Sequence, residues 1–99
     1  MKMVFLVHNE YFTPRVMELL KEAGIDYYTR WDHAQGKGHG TDPNLGTGKF
    51  AGTNAVMMIA FQDESVLEGL IQKVAKLNQE ITRANDRIRL FQLPLDRIV

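Results

Sequence analysis

The 99-residue chain predicts an α+β domain of the ferredoxin-like β-α-β-β-α-β kind. This is a four-stranded antiparallel sheet with two helices on one face and a long loop between strands 2 and 3. Three observations carry the expectation. Four short runs are rich in β-forming residues. Apolar stripes at helical spacing separate the first run from the second and the third from the fourth. A glycine-rich segment without apolar periodicity parts the second run from the third. The length fits a single domain, 1–99.

The first strand is expected at 2–8 (KMVFLVH), apolar on both alternating faces: Met3, Phe5 and Val7 on one, Val4 and Leu6 on the other. Thr13-Pro14 then reads as a helix start, with Thr13 as cap and Pro14 at a position that needs no N–H donor. Val16, Leu19, Leu20 and Ala23 follow at i, i+3, i+4 and i+7, and Gly24 supplies the left-handed stop. The second strand is expected over 25–34, with Ile25, Tyr27, Thr29 and Trp31 sharing a face. The third covers 54–61 (NAVMMIAF). Asp63 caps a second helix with a stripe of Leu67, Leu70, Ile71, Val74 and Leu77, in which Gly69 suggests a close packing contact. A polar connection over 78–86 leads to a last strand at 87–93, and Pro94 ends it or sets it at a sheet edge.

Two helices cover only one face of such a sheet, yet strands 1 and 3 are apolar on both. The second face is therefore expected to be buried by self-association.

Lys plus Arg and Asp plus Glu both number 12, so no global field draws the chain to nucleic acid or to an anionic membrane. There is no cysteine, which removes disulfides, thiolate zinc sites and cysteine nucleophiles. The first apolar run is about five residues, too short for a signal peptide, and no stretch nears the roughly 20 residues of a membrane span, so a cytoplasmic protein is expected. The single serine, Ser65, falls in the first turn of a helix, and no acid–base pair stands out. An enzyme is not expected.

Six of the eight glycines lie in the loop at 36–53. A Walker A motif would need glycine at 43 and Ser or Thr at 50, where the chain has Pro43 and Phe50. GTGKFA fits G-x-G-x-x-A, but a strand rather than a helix follows it. A looser nest of backbone N–H groups at Gly36–Gly40 stays open. The loop's expected binding residues are Gly36, Lys37, Gly38, His39, Gly40, Lys49 and Phe50. Arg87 and Arg89 are the further candidates for an anion. A second chemistry is a divalent metal held by His8, Asp32, His33 and His39, set against the plainer reading of a packed and a solvated histidine.

The element order and the loop position resemble the PII signalling proteins. Lys37-Gly38-His39 looks like the Lys-Gly-His that opens the family's T-loop. LFQLPLD at 90–96 is similar to its last strand, and MKMVFLV to its first. The resemblance spans nearly the whole chain and implies a homotrimer whose loop controls a partner protein, a transporter or an enzyme, in nitrogen regulation. It also implies that Arg89 stands near the family's phosphate-binding lysine. The chain departs from the pattern in the B-loop: LNQEITRANDR at 77–87 has no glycine. The family's C-terminal arginine pair has no counterpart within the 99 residues, Gly36 stands where the family has glutamine, and no tyrosine lies in the loop. The expected protein is thus a divergent PII-like regulator with a small-molecule effector of open identity, rather than the usual ATP and 2-oxoglutarate pair. A metal sensor using His33 and His39 is the alternative.

Overall fold

In the computed structural model, residues 1–38 and 52–99 are described. The elements are β1 (Lys2–Asn9), α1 (Thr13–Glu22), β2 (Thr29–Ala34), β3 (Asn54–Phe61), α2 (Glu64–Glu80) and β4 (Arg89–Pro94), with 3-10 turns at Glu10–Phe12 and Ala84–Asp86. The four strands form one antiparallel sheet in the order β2-β3-β1-β4. The expected fold class is the observed one.

Alternation places Val4, Leu6 and His8 of β1, with Ala55, Met57, Ile59 and Phe61 of β3, on one buried face. Val16, Leu19 and Leu20 of α1 and Leu67, Leu70, Val74 and Leu77 of α2 share a single core with that face, so both helices lie on it. Each such buried Leu, Ile or Val contributes roughly 1.5–3 kcal/mol relative to exposure. The opposite face has no covering layer among the described residues. Its register brings Phe5 between Met58 and Phe91, and Met3 between Ala60 and Leu93. Trp31, paired with Val56, continues it on β2. Trp31, Phe91 and Leu93 are 49%, 52% and 45% exposed, large values for apolar side chains inside strands.

Three local expectations need correction. Thr13 does not cap α1: it is the first helical residue, Phe12 precedes it without a side-chain cap, and Pro14 sits in the first turn. The preceding 3-10 turn has its own cap, the Asn9 side chain accepting from the Tyr11 N–H at 2.9 Å. The second strand starts at Thr29 rather than 25, because Gly24 and Ile25 complete the helix stop. Gly24 (φ +77°) donates to the Lys21 carbonyl and Ile25 to the Leu20 carbonyl, the paired bonds of a Schellman cap. Ile25 thereby enters the helix-side core instead of sharing the Thr29 and Trp31 face. At Gly69, an added Cβ would meet nothing within 4 Å, so this glycine marks no close contact.

Asp63 does cap α2, accepting from the Ser65 N–H at 2.9 Å and from its hydroxyl at 2.6 Å. Those bonds, side chain first and then backbone, hold the carboxyl below its ordinary pKa. Pro94 closes β4, which is an edge strand. Among the described residues no helix is long and apolar enough to cross a membrane.

Candidate functional site

One end of the sheet carries a cleft of about 290 Å3. Val7, His8 and Asn9 of β1 form its floor, and Asn54 opens β3 beside them. Gly36, Lys37 and Gly38 come from the start of the loop, Asn85 and Arg87 from the turn after α2, and Arg89 and Phe91 from β4. Of the residues singled out in the sequence, the fold thus brings Gly36, Lys37, Gly38, Arg87 and Arg89 together. Their chemistry suits an anion: three cationic side chains with backbone and carboxamide groups between them. His39, Gly40, Lys49 and Phe50 lie outside the described residues.

Each wall has an identifiable support. Gly36 lies so close to Asn54 that a Cβ on it would sit 2.4 Å from the carboxamide nitrogen, an approach that no larger residue permits without displacing that side chain. On the other wall, the Asn78 side chain reaches from the last turn of α2 to the backbone of Ile88. Ile88 is buried, which leaves Arg87 and Arg89 on either side of it exposed. Arg89 pairs with Val7 and lies two residues from Phe91, which pairs with Phe5, so the cleft adjoins the uncovered sheet face.

The histidines separate. His8 is buried, 2% exposed, with Nδ1 2.9 Å from the Asn9 carbonyl. A carbonyl only accepts, so the proton belongs on Nδ1, and Nε2 is left as a buried acceptor without a hydrogen-bond partner among the described residues. Burial lowers the His8 pKa below its usual value, against the opposing hydrogen bond to Asn9. His33 is exposed and sits at a positive φ of 60°, in the bulge where the β2–β3 register shifts between Trp31 and Ala34. Its backbone N–H donates to Glu10 Oε1, and its Nδ1 lies 3.0 Å from the same oxygen. Asp32 pairs with Arg30 at 3.1 Å. The proposed metal set is therefore not assembled by His8, Asp32 and His33. Among the described residues no group of three or more His, Cys, Asp or Glu converges.

Sequence reasoning passed over Glu10, Asn54, Asn78 and Asn85. None of the four carries a periodic or motif signal. Their roles come from pairs far apart in the chain.

No family model and no curated protein matches the chain. Solved structures do. The CPII protein of Thiomonas intermedia K12, bound to ADP and bicarbonate, superposes with a TM-score of 0.69 at 16% identity, over 97% of this chain and 88% of that one. The chain has the fold of a PII-like protein. A second CPII structure, with ADP, AMP and bicarbonate, gives 0.67 at 16% identity over the same shares. A third, with ADP, AMP and acetate, gives 0.65 at 15%. At such identities the agreement is one of fold.

Proposed function

We propose that the chain is a PII-like regulatory module that binds a small anionic effector, a nucleotide phosphate, in the cleft between Lys37, Arg87 and Arg89. The observation that carries this reading is the convergence of those three cations with the Gly36–Gly38 backbone in one cleft. Phosphate oxygens suit such a set, since guanidinium groups bind them bidentately and glycine backbone lets N–H groups approach closely. The ligands of the CPII structures make ADP, with or without bicarbonate, the first effector to test.

The uncovered sheet face supports a homo-oligomer, with the trimer as the arrangement that the PII-like fold favours. Because Val7, Arg89 and Phe91 belong to both regions, a neighbouring copy on that face would also wall the cleft. Effector binding and assembly would then be linked. The loop at 36–53 leaves directly from the cleft, so it is the segment through which an effector would govern a partner protein, a transporter or an enzyme.

Titration calorimetry with ADP, alone and with bicarbonate, tests the reading against Arg87→Ala and Arg89→Ala. Binding to the natural protein that weakens about tenfold or more in each variant is expected, from the loss of a charge-assisted contact. Absence of binding, or equal affinity in all three proteins, would remove the cleft as the effector site.

A further inference from the structure

The loop leaves the sheet just after His33-Ala34 and returns at Thr53-Asn54, and one side chain from a third segment touches both places. Glu10, in the turn after β1, extends the β1–β3 ladder one bond beyond the Asn9–Asn54 pair: its N–H donates to the Thr53 carbonyl at 3.0 Å. Its carboxylate accepts from the His33 backbone N–H and stands 3.0 Å from the His33 imidazole, while the Thr53 side chain supplies a further bond. The positive φ of His33 turns its N–H out of the β2–β3 ladder and frees it for this contact.

We propose that Glu10 is a positioning residue for the cleft: it clasps the two chain segments that flank the loop and so holds the Gly36–Gly38 backbone against Asn54. The consequence for an effector rests on the anion reading above; the clasp itself does not. Ala34 is the β2 partner of Asn54, and Gly36 follows two residues later in contact with the same asparagine. A slip of the His33 segment relative to Thr53 would therefore carry the cleft's Gly36–Gly38 wall with it.

The charged neighbours are accounted for. On β2, Arg30 and Asp32 neutralise each other, and on β1 His8 is buried with its Nδ1 given to its own chain. Among the described residues, the His33 imidazole, cationic when protonated, faces the Glu10 carboxylate. Partial burial raises the carboxyl's pKa, but the bonds from the His33 N–H and the Thr53 side chain, with the charge of His33, outweigh it and hold the group below its ordinary 4.5. The charged form of Glu10 is thus the one the clasp uses.

Proton–nitrogen NMR on the ligand-free protein tests the clasp. The His33 amide proton is expected to show a pH-dependent step that belongs to Glu10, with its midpoint below the ordinary 4.5 of a glutamate. Glu10→Gln should abolish that titration, and His33→Ala, which keeps the backbone donor, should retain it with a higher midpoint. In Glu10→Ala, exchange of the residue-10 and His33 amides should quicken about tenfold, with the amides of Leu6 and Met57 unchanged as a check on the fold. ADP affinity should fall several-fold in Glu10→Ala and recover in part in Glu10→Gln, which keeps an acceptor oxygen. A His33 amide signal that is flat between pH 3 and 5.5 in the natural protein, about one unit either side of the usual glutamate value, would overturn the clasp even if ADP binds. A titrating signal with no ADP binding would leave the clasp standing and count against the anion reading alone. Unchanged exchange in Glu10→Ala, or ADP affinity unaltered by that substitution, would overturn the positioning role.

Discussion

The Asn78 carboxamide closes both hydrogen bonds of the Ile88 backbone: its nitrogen donates to the Ile88 carbonyl at 2.8 Å, and its oxygen accepts from the Ile88 N–H at 2.8 Å. One side chain does here what a neighbouring strand would otherwise do. It docks the turn after α2 onto the helix and sets the spacing of Arg87 and Arg89. Asn78→Ala leaves a buried donor and acceptor without partners and should cost about 1–3 kcal/mol. Asn78→Asp keeps the acceptor and loses the donor, so it should fall between. Urea denaturation ranks the three proteins. Anion affinity should follow the same rank, and equal stability in all three would remove this role.

The two glycines of the helical segments should respond in opposite directions. Gly69→Ala meets open space in a helix interior and should stabilise the protein by about 0.5–1 kcal/mol. Gly24→Ala forces a side chain to a φ of 77° in the Schellman cap and should destabilise by about 1 kcal/mol or more. Thermal melting of the pair gives both signs in one experiment.

The uncovered face predicts its own disruption. Phe91→Glu places a charge beside Phe5 at the centre of the apolar patch, far from the helix-side core. Sedimentation analysis should show a smaller species than the natural protein, with circular dichroism unchanged. The same variant should bind ADP more weakly, because Phe91 also lines the cleft. An unaltered sedimentation coefficient would show that this face is not the self-association surface.

His8 predicts a loss of stability in mild acid. Its folded-state pKa is depressed by burial, so the folded state holds the neutral ring and the unfolded state takes up the proton first. The contribution is fully present above the ordinary value of 6.5 and is lost as pH falls from there toward the lower folded value. His8→Leu should flatten this part of the pH–stability curve between pH 7.5 and 5.5, a span of about one unit either side of the usual histidine value. Curves that remain parallel for the two proteins would remove His8 as the cause.

Strands 1 and 3 were legible from their runs of β-forming residues and the α2 stripe from its helical periodicity, signals that each lie within one segment. The boundary of β2 was not. Ile25 fits the alternation of Thr29 and Trp31, yet its N–H is taken by the Leu20 carbonyl, a bond that belongs to the preceding helix. Thr13 failed as a cap for a similar reason: a 3-10 turn capped by Asn9 already leads into the helix. In the cleft, Lys37, Arg87 and Arg89 were visible as charges, and their convergence needed the sheet. Asn78 and Glu10 were invisible because their partners lie 10 and 23 residues away in sequence.

The strand order has a further consequence during synthesis. β1 lies between β3 and β4, and its register with β4 joins Lys2 to Pro94. β1 is therefore made long before β4, and one of its edges stays unpaired until residues 89–94 emerge. Until then that edge presents unpaired N–H and C=O groups that another strand can take up, and non-local pairing of this kind is slow. Truncations that remove 89–94 should accordingly aggregate rather than accumulate as folded intermediates, which a centrifugation assay on nascent chains of increasing length would reveal.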